Sequence, residues 1–422
     1  MTARLHAVET GEFADGALLG DPVHYFGSAG AAVSELLPHS LATHRRCFGP
    51  RRLYTVTSAT ALLEQLSEPP LTGRGGAHFP TAAKWRAARS GSAPHAVVAN
   101  GAEGEPLSRK DRALLELRPH LVLDGLACAV EAVGAAEAVV WMHDSNHAAR
   151  VSLSRALAER ESHEDDPPIR IEVGPDSYLS GESSAVANAV IGAGVVPTYQ
   201  RRSGRSRSVL VHNVETLARV GLVAHGLPGT ETVLVSVAVA TGVVVIELGP
   251  TDTIGDAVSA VAGEARTHAV LVGGYGGSWV PWFRASDLLL DEPSLRSCGL
   301  SLGAGIVHPL TADRCGLQRA AEIAAYLAGQ SARQCGPCAF GLPAIADSLA
   351  ALAEVGGTGR RARRMVADIH ELIDTVDGRG ACHHPDGAVR MVASAMRTFH
   401  PDVQAHLQGG CRHSSYRGRR NA

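Results

Sequence analysis

Ala96-Val-Val-Ala-Asn100-Gly-Ala-Glu103-Gly-Glu105-Pro106 is the stretch from which the fold can be read. Four apolar residues with a β-branched pair, stopped by Asn-Gly, are too few for a helix and read as a short buried strand. Working outward, Leu121 to Val133 is an apolar helix, Ala138-Val-Val-Trp-Met142 a second strand, and Asn146 to Glu159 a helix. Strands alternating with helices predict an α/β layer fold. In such sheets ligands bind beyond the carboxyl ends of the strands. Glu103, Glu105 and Asn100 fall in that position, where two acids and an amide can hydrogen-bond a polar ring or ribose hydroxyls. A solvated acidic loop has the same composition, so this segment leaves both readings open.

Upstream, residues 1 to 50 mix Gly, Pro, His and Arg without a sustained period and read as an irregular extension. Ser58 to Leu66 is helical in pattern. Glu68-Pro-Pro-Leu71 then breaks it and leads into Gly73-Arg74-Gly75-Gly76-Ala77-His78-Phe79-Pro80, a loop feeding a helix that carries Thr81 and Lys84. The glycines let several N–H groups converge on one anion, and Arg74 and Lys84 add charge. The spacing is neither a P-loop nor a dinucleotide fingerprint, so a plain glycine turn remains the alternative. Downstream, Tyr178-Leu-Ser-Gly181-Glu182-Ser183-Ser-Ala185 leads into a helix, and His212-Asn213-Val-Glu215-Thr216-Leu217 follows another strand. By themselves both are ordinary helix caps.

Short strands at Val233 to Val239, Val243 to Ile246 and Ala269 to Gly274 surround one helix, Ile254 to Gly263, and suggest a small β-grasp-type module. After Pro309 apolar residues recur at helical spacing in Leu317–Leu327, Leu342–Leu352, Arg361–Thr375 and Ala388–Phe399. Short connections between such helices favour an antiparallel bundle.

A chain of 422 residues, 45% hydrophobic, can bury a large core. A net charge of -3 argues against a nucleic-acid partner. The apolar stretch Val233–Leu248 is interrupted by Ser, Thr and Gly, so no membrane span is expected, and the N-terminus lacks the basic-then-apolar order of a secretion signal. The expected compartment is the cytoplasm. The basic run Arg417–Arg420 reads as a solvated tail.

Eight cysteines in a reducing compartment favour thiols or metal ligands over disulfides. Cys335-Gly-Pro-Cys338, followed by Cys382-His383-His384, can share a metal, chelate part of an iron–sulfur cluster or form a redox disulfide. The helical pattern just before it disfavours a thioredoxin role, which needs a preceding strand. A structural zinc site using Cys335, Cys338, Cys382 and a histidine stays open. Cys47, Cys128, Cys298 and Cys315 are expected to be packing residues, and Cys411 a surface thiol in the tail.

Taken together, in this order and over roughly residues 50 to 405, these segments resemble the NADH-oxidising, FMN-binding flavoprotein subunit of bacterial complex I and its diaphorase relatives. The resemblance implies an α/β FMN/nucleotide-binding domain over 51–228 after the 1–50 extension, a β-grasp, SLBB-like module over 229–295, an antiparallel helical iron–sulfur domain over 300–405 and a flexible tail over 406–422. It implies that Gly73, Arg74, Gly75, Gly76 and Lys84 hold the FMN phosphate and its approach. Asn100, Glu103, Tyr178, Gly181, Glu182, His212 and Asn213 would surround the rest of the flavin, with Phe79 and Glu105 facing the nicotinamide nucleotide. Hydride would pass from NADH or NADPH to the flavin, and single electrons to a cluster and then to a ferredoxin-like or thioredoxin-fold iron–sulfur protein.

This chain departs from the family's pattern. Ala102 stands where an aspartate is usual, Ser183 where a second glutamate is frequent, and His212 at an asparagine position. The segment Pro197–Ser208 is short and carries Arg201, Arg202, Arg205 and Arg207, a composition that would favour a more anionic nucleotide such as NADPH. Ala332 replaces the first cluster cysteine. Cys335, Cys338 and Cys382 then suffice for a 3Fe-4S cluster, or for a 4Fe-4S cluster whose fourth corner is open or taken by His383, His384 or Cys315. Two other functions follow from the departures: a redox-inactive scaffold, or a flavoprotein reduced by a protein donor.

Overall fold

The computed structural model describes residues 38–161, 165–198, 209–229, 232–240, 242–262, 266–354 and 360–413. Most of the 1–50 extension, the four arginines at 201–207 and the end of the tail lie outside these residues. Two compact units emerge, one of residues 1–196 and 203–251, the other of 197–202 and 252–422. The division falls inside the stretch 229–295.

The first unit is built on a parallel sheet of β1 (Ala96–Asn100), β2 (Glu137–His143), β3 (Ile169–Gly174) and β4 (Val209–Asn213), in the order β3-β2-β1-β4. β1 is buried at every position because cores form on both of its faces: Val97 and Ala99 join the larger, Ala96 and Val98 the smaller. This is why it reads as a continuous apolar run. β3, half-exposed at the sheet edge, has no such run and was not legible in the sequence. The helix Pro119–Val133 is buried almost all round and packs on Val214–Ala224 at backbone distance. A Cβ on Gly125 would stand 1.8 Å from the Leu217 carbonyl oxygen, so only glycine permits the crossing. The unit also holds an antiparallel hairpin, β5 (Val233–Val239) with β6 (Gly242–Leu248).

One correction falls at the start of the chain. Leu41–Phe48 is a helix, N-capped by the Ser40 hydroxyl, which accepts from the Thr43 amide. Its buried face is Leu41 and His44, and His44 meets Asp124 at 2.7 Å. A helix anchored by one leucine and one histidine leaves no apolar period to read.

In the second unit β7 (Thr267–Val272) pairs antiparallel with β8 (Ser278–Pro281) on one side and β9 (Ile306–Thr311) on the other. Helices Gly316–Gly329, Leu342–Ala353, Arg360–Val376, His384–Thr398 and His400–Leu407 make the C-terminal region helical. No helix among the described residues is long and apolar enough to cross a membrane.

Candidate functional site

The chain runs from β1 outward through β2 to β3 and then returns to β4 on the other side of β1. The order therefore reverses between β1 and β4, and a crevice at their carboxyl ends is the expected ligand position. Asn100 and Asn213 are the last residues of these strands and are register partners. Asn100 Nδ2 donates to the Gly181 carbonyl at 2.8 Å, and its Oδ1 accepts from the Ala102 amide. Asn213 Oδ1 caps the helix Val214–Ala224 by accepting from the Glu215 amide at 3.0 Å, a bond of the kind worth about 1 kcal/mol.

Three loops meet at these strand ends. The glycine loop closes on itself, Gly73 N–H to the Phe79 carbonyl at 2.9 Å, and is tied to the capped helix by the Arg74 amide donating to Thr216 Oγ1 at 2.8 Å. Gly75 lies so close that a Cβ would come 3.3 Å from Asn213 Cβ. The loop after β1 packs on the 3-10 turn Tyr178–Gly181: a Cβ on Gly104 would stand 2.0 Å from the Tyr178 oxygen, and one on Gly181 2.4 Å from the Ala102 oxygen. Tyr178 Oη donates to Glu105 Oε1 at 2.6 Å. Trp141 Nε1 donates to the Ser180 carbonyl, and His143 Nε2 meets Ser180 Oγ at 2.6 Å, which pins this turn to β2.

Several of the acids and amides are already engaged. Glu103 Oε1 accepts from Ser108 Oγ and the Asp111 amide while Oε2 accepts from the Arg112 amide, so this carboxylate caps the helix Lys110–Leu117. Glu182 accepts from the Ser184 and Ala185 amides and caps Ser183–Val190. His212 Nε2 accepts from the indole of buried Trp85 at 2.9 Å; burial, with the Lys84 charge adding to it, holds this imidazole neutral, well below the usual range.

The charges beneath the site form one buried network. Lys110 Nζ lies 2.9 Å from Asp111 Oδ1, 3.1 Å from Glu215 Oε2 and 3.3 Å from Asn213 Oδ1, and Arg219 binds Glu215 at 2.8 Å. Burial raises Asp111, an effect that neighbouring Lys110 opposes. Glu215 is held at about 2: burial works to raise it, and Lys110 and Arg219 together outweigh that. The Glu215–Arg219 spacing was the available sequence signal for this network; that both would be buried was not in it. Lys84 is different. Its ammonium donates to the Val211 carbonyl, and burial alone pushes its pKa down to about 8. A desolvated cation hydrogen-bonded to a neutral oxygen is stabilised by an arriving anion. Phe79, at the end of the glycine loop, is 55% exposed and offers a ring face.

In the second unit, Cys335 is half-buried and Cys338 and Cys382 are buried. Burial pushes the Cys338 thiol up to about 12, and Cys335 and Cys382, both beside it, add to the shift. The sequence around Cys338 is wound as a π-turn, Pro337–Gly341, a distortion frequent at functional sites. Arg333, just before, has a φ of 52°.

Comparison with known proteins agrees with this layout. Residues 66–222 match the family described as the Nuo51 FMN-binding domain, and residues 318–406 the NADH-ubiquinone oxidoreductase-F iron-sulfur binding region. The F 2 subunit of NADH-quinone oxidoreductase in Rhizobium meliloti (strain 1021) is 26% identical over 409 residues, covering 88% of this chain and 95% of the relative. The F subunit of the same enzyme in Escherichia coli (strain K12) is 25% identical over 396 residues, 85% of this chain and 87% of the relative.

The chain is a divergent member of the NADH-quinone oxidoreductase F-type family.

The NAD+-reducing NiFe-hydrogenase in its H2-reduced state contains a chain of the same fold, with a TM-score of 0.73 at 24% identity. That match covers 84% of this chain but 64% of the hydrogenase chain, less than two thirds. In this F-type protein the histidines near the cysteine site are used differently than expected. His384 Nε2 pairs with the Leu327 carbonyl at 2.9 Å, and exposed His383 pairs with Asp386. Cys315 is not at that site but beside His406 and Cys411. Cys411 is therefore half-buried in a cluster and not a surface thiol, whereas Cys47 and Cys298, expected to pack, are exposed.

Proposed function

We propose that the chain is an NAD(P)H-oxidising FMN flavoprotein of the NADH dehydrogenase type, carrying its own iron–sulfur cluster and passing electrons to a ferredoxin-like or thioredoxin-fold protein. The observation that carries this reading is the convergence of the glycine loop, the Glu103–Glu105 loop and the Tyr178–Gly181 turn on Asn100 and Asn213 at the sheet's switch point.

FMN, when bound, supplies hydride acceptance and single-electron release. The protein's part is to hold and orient. The Gly73 and Arg74 amides are spent on Phe79 and Thr216, so phosphate-facing amides fall to Gly75 and Gly76, with Lys84 as the cation. Asn100, Asn213, Tyr178, Gly181, Glu103 and Glu182 fix the walls. Of these, Glu103 and Glu182 work through the helices they cap, and His212 through Trp85. Phe79 and Glu105 face the nucleotide, Glu105 oriented by the Tyr178 hydroxyl. Cys335, Cys338 and Cys382 fit a 4Fe-4S cluster whose fourth corner is not cysteine, with Ala332 in the position where relatives carry the remaining thiol. The stretch 229–295 is assigned to an SLBB-like module, 51–228 to the flavin domain and 300–405 to an antiparallel bundle; the setting is the cytoplasm.

The engagement of Glu103 and Glu182 in caps, with Ala102 and Ser183 beside them, favours a second reading in which a protein donor and not a nucleotide reduces the flavin. Anaerobic purification followed by addition of NADH and then NADPH, with the flavin and iron–sulfur bands monitored, separates these. Bleaching by either nucleotide supports the first reading and names the preferred one. Bound flavin that neither reduces supports the second. A chain that takes up no flavin even on reconstitution defeats both and leaves a scaffold.

A further inference from the structure

Outside the switch point and the Cys335 segment, the second unit brings together three ligand-bearing side chains that neither the flavin nor the cluster uses. Cys315 Sγ, His406 Nε2 and Cys411 Sγ all lie within 4.8 Å of one another. Cys315 and His406 are buried and Cys411 is half-buried.

We propose that Cys315, His406 and Cys411 form a binding site for a zinc ion, separate from the iron–sulfur cysteines, that fastens the segment after the last helix to the start of the helix Gly316–Gly329.

The donor set is the first reason. Two thiolates and an imidazole are the ligand types zinc selects, and a hard cation such as magnesium would not choose them. The second is the orientation of the imidazole. His406 Nδ1 is 3.2 Å from the Leu352 carbonyl, an acceptor only, so the proton resides on Nδ1 and the Nε2 lone pair is directed at Cys315 Sγ, 3.5 Å away. A carbonyl behind the distal nitrogen is the arrangement that fixes metal-ligating histidines. The third is charge. Cys315 is the N-cap residue of a helix, where the backbone amides favour a thiolate. Burial keeps the thiol pKa up at about 12 and His406 below its usual range, so without a metal the cluster is neutral and the imidazole unprotonated. A bound ion would release the thiol protons. Asp402, one turn before His406 on the same helix, adds negative charge nearby while its Oδ1 is held by His413 at 2.9 Å. The fourth coordination position is left to water.

A disulfide between Cys315 and Cys411 is the rival use of the same atoms. It would employ two of the three groups and leave the oriented imidazole without a purpose.

The test is metal analysis of the full chain purified without chelator, with iron and zinc measured together in wild type, Cys411→Ser, His406→Gln and Cys335→Ala. The expected result is about one zinc per chain in wild type and in Cys335→Ala, which loses iron, and at least a ~10-fold fall in zinc in Cys411→Ser and His406→Gln with iron retained. Because Cys411 is half-buried, its serine variant should keep the wild-type circular dichroism, and cobalt(II) added to metal-stripped wild type gives a readout that no folding defect imitates. Thiolate-to-cobalt charge-transfer bands present in wild type and absent in Cys411→Ser support the site. Three results overturn it: wild type with no zinc and no such bands, zinc that follows Cys335 in place of Cys411, or a Cys315–Cys411 disulfide in the alkylated digest.

Discussion

The two proposed redox centres are held in different ways. At the switch point the protein itself completes the scaffold: Glu103, Glu182, Asn100 and Asn213 are hydrogen-bonded to backbone, and Lys110, Asp111, Glu215 and Arg219 neutralise one another beneath them. At Cys335–Cys338 the backbone is wound as a π-turn after a left-handed Arg333, Phe340 is 77% exposed, and the thiol of Cys338 is raised by its burial and its neighbours. Side-chain networks preorganise the first site, and a metal must organise the second. The difference teaches where order originates, and it can be broken by experiment.

The largest effect should come from cutting the network. Glu215→Ala leaves Lys110 and Arg219 buried without their shared carboxylate and should cost about 3–5 kcal/mol in urea unfolding. A loss under ~1 kcal/mol would mean the network is not what holds the strand ends. Gly104→Ala forces a methyl against the Tyr178 carbonyl and should cost about 1–3 kcal/mol while lowering flavin retained on purification. Unchanged flavin content would move the ligand away from this loop.

Stripping iron sharpens the contrast from the other side. Amide exchange over 331–341 should accelerate at least ~10-fold after chelation, with 101–105 unaffected, as expected when ligand binding supplies the local stability. Equal acceleration in both segments would erase the comparison.

The smallest effect concerns protons in the first unit. Burial, with His44 and Arg160 adding to it, pulls His120 down to about 4, so the folded chain keeps it neutral while the unfolded chain protonates it near 6.5. Its contribution is fully present above pH 6.5 and is lost as the pH falls toward 4. Glu116, pushed up to about 7 by burial, works in the opposite sense, so wild type must be compared with a variant. His120→Gln should lose about 1 kcal/mol less than wild type between pH 7 and 5. A parallel pH dependence would show that His120 is not the sensor.

Much of the layout was legible before any coordinates. β1, β2, the hairpin and the apolar helices announce themselves because each buries a continuous run or a helical stripe, and the glycine, acidic and cysteine segments stand out by composition. The helix Leu41–Phe48, the edge strand β3 and β9 did not, since their partners come from distant sequence: His44 from Asp124, β9 from β7.

The sequence by itself determined the alternating strand–helix layers, the segments that carry ligand-type residues and the likeness to the flavoprotein subunit of complex I, because these depend on local period and on order along the chain. Only the tertiary structure decided that Asn100 and Asn213 are neighbours, that Glu103 and Glu182 serve as caps, and that Cys411 belongs with Cys315 and His406. Those are contacts between residues far apart in sequence. They are fixed by strand order and helix packing, which no local pattern encodes.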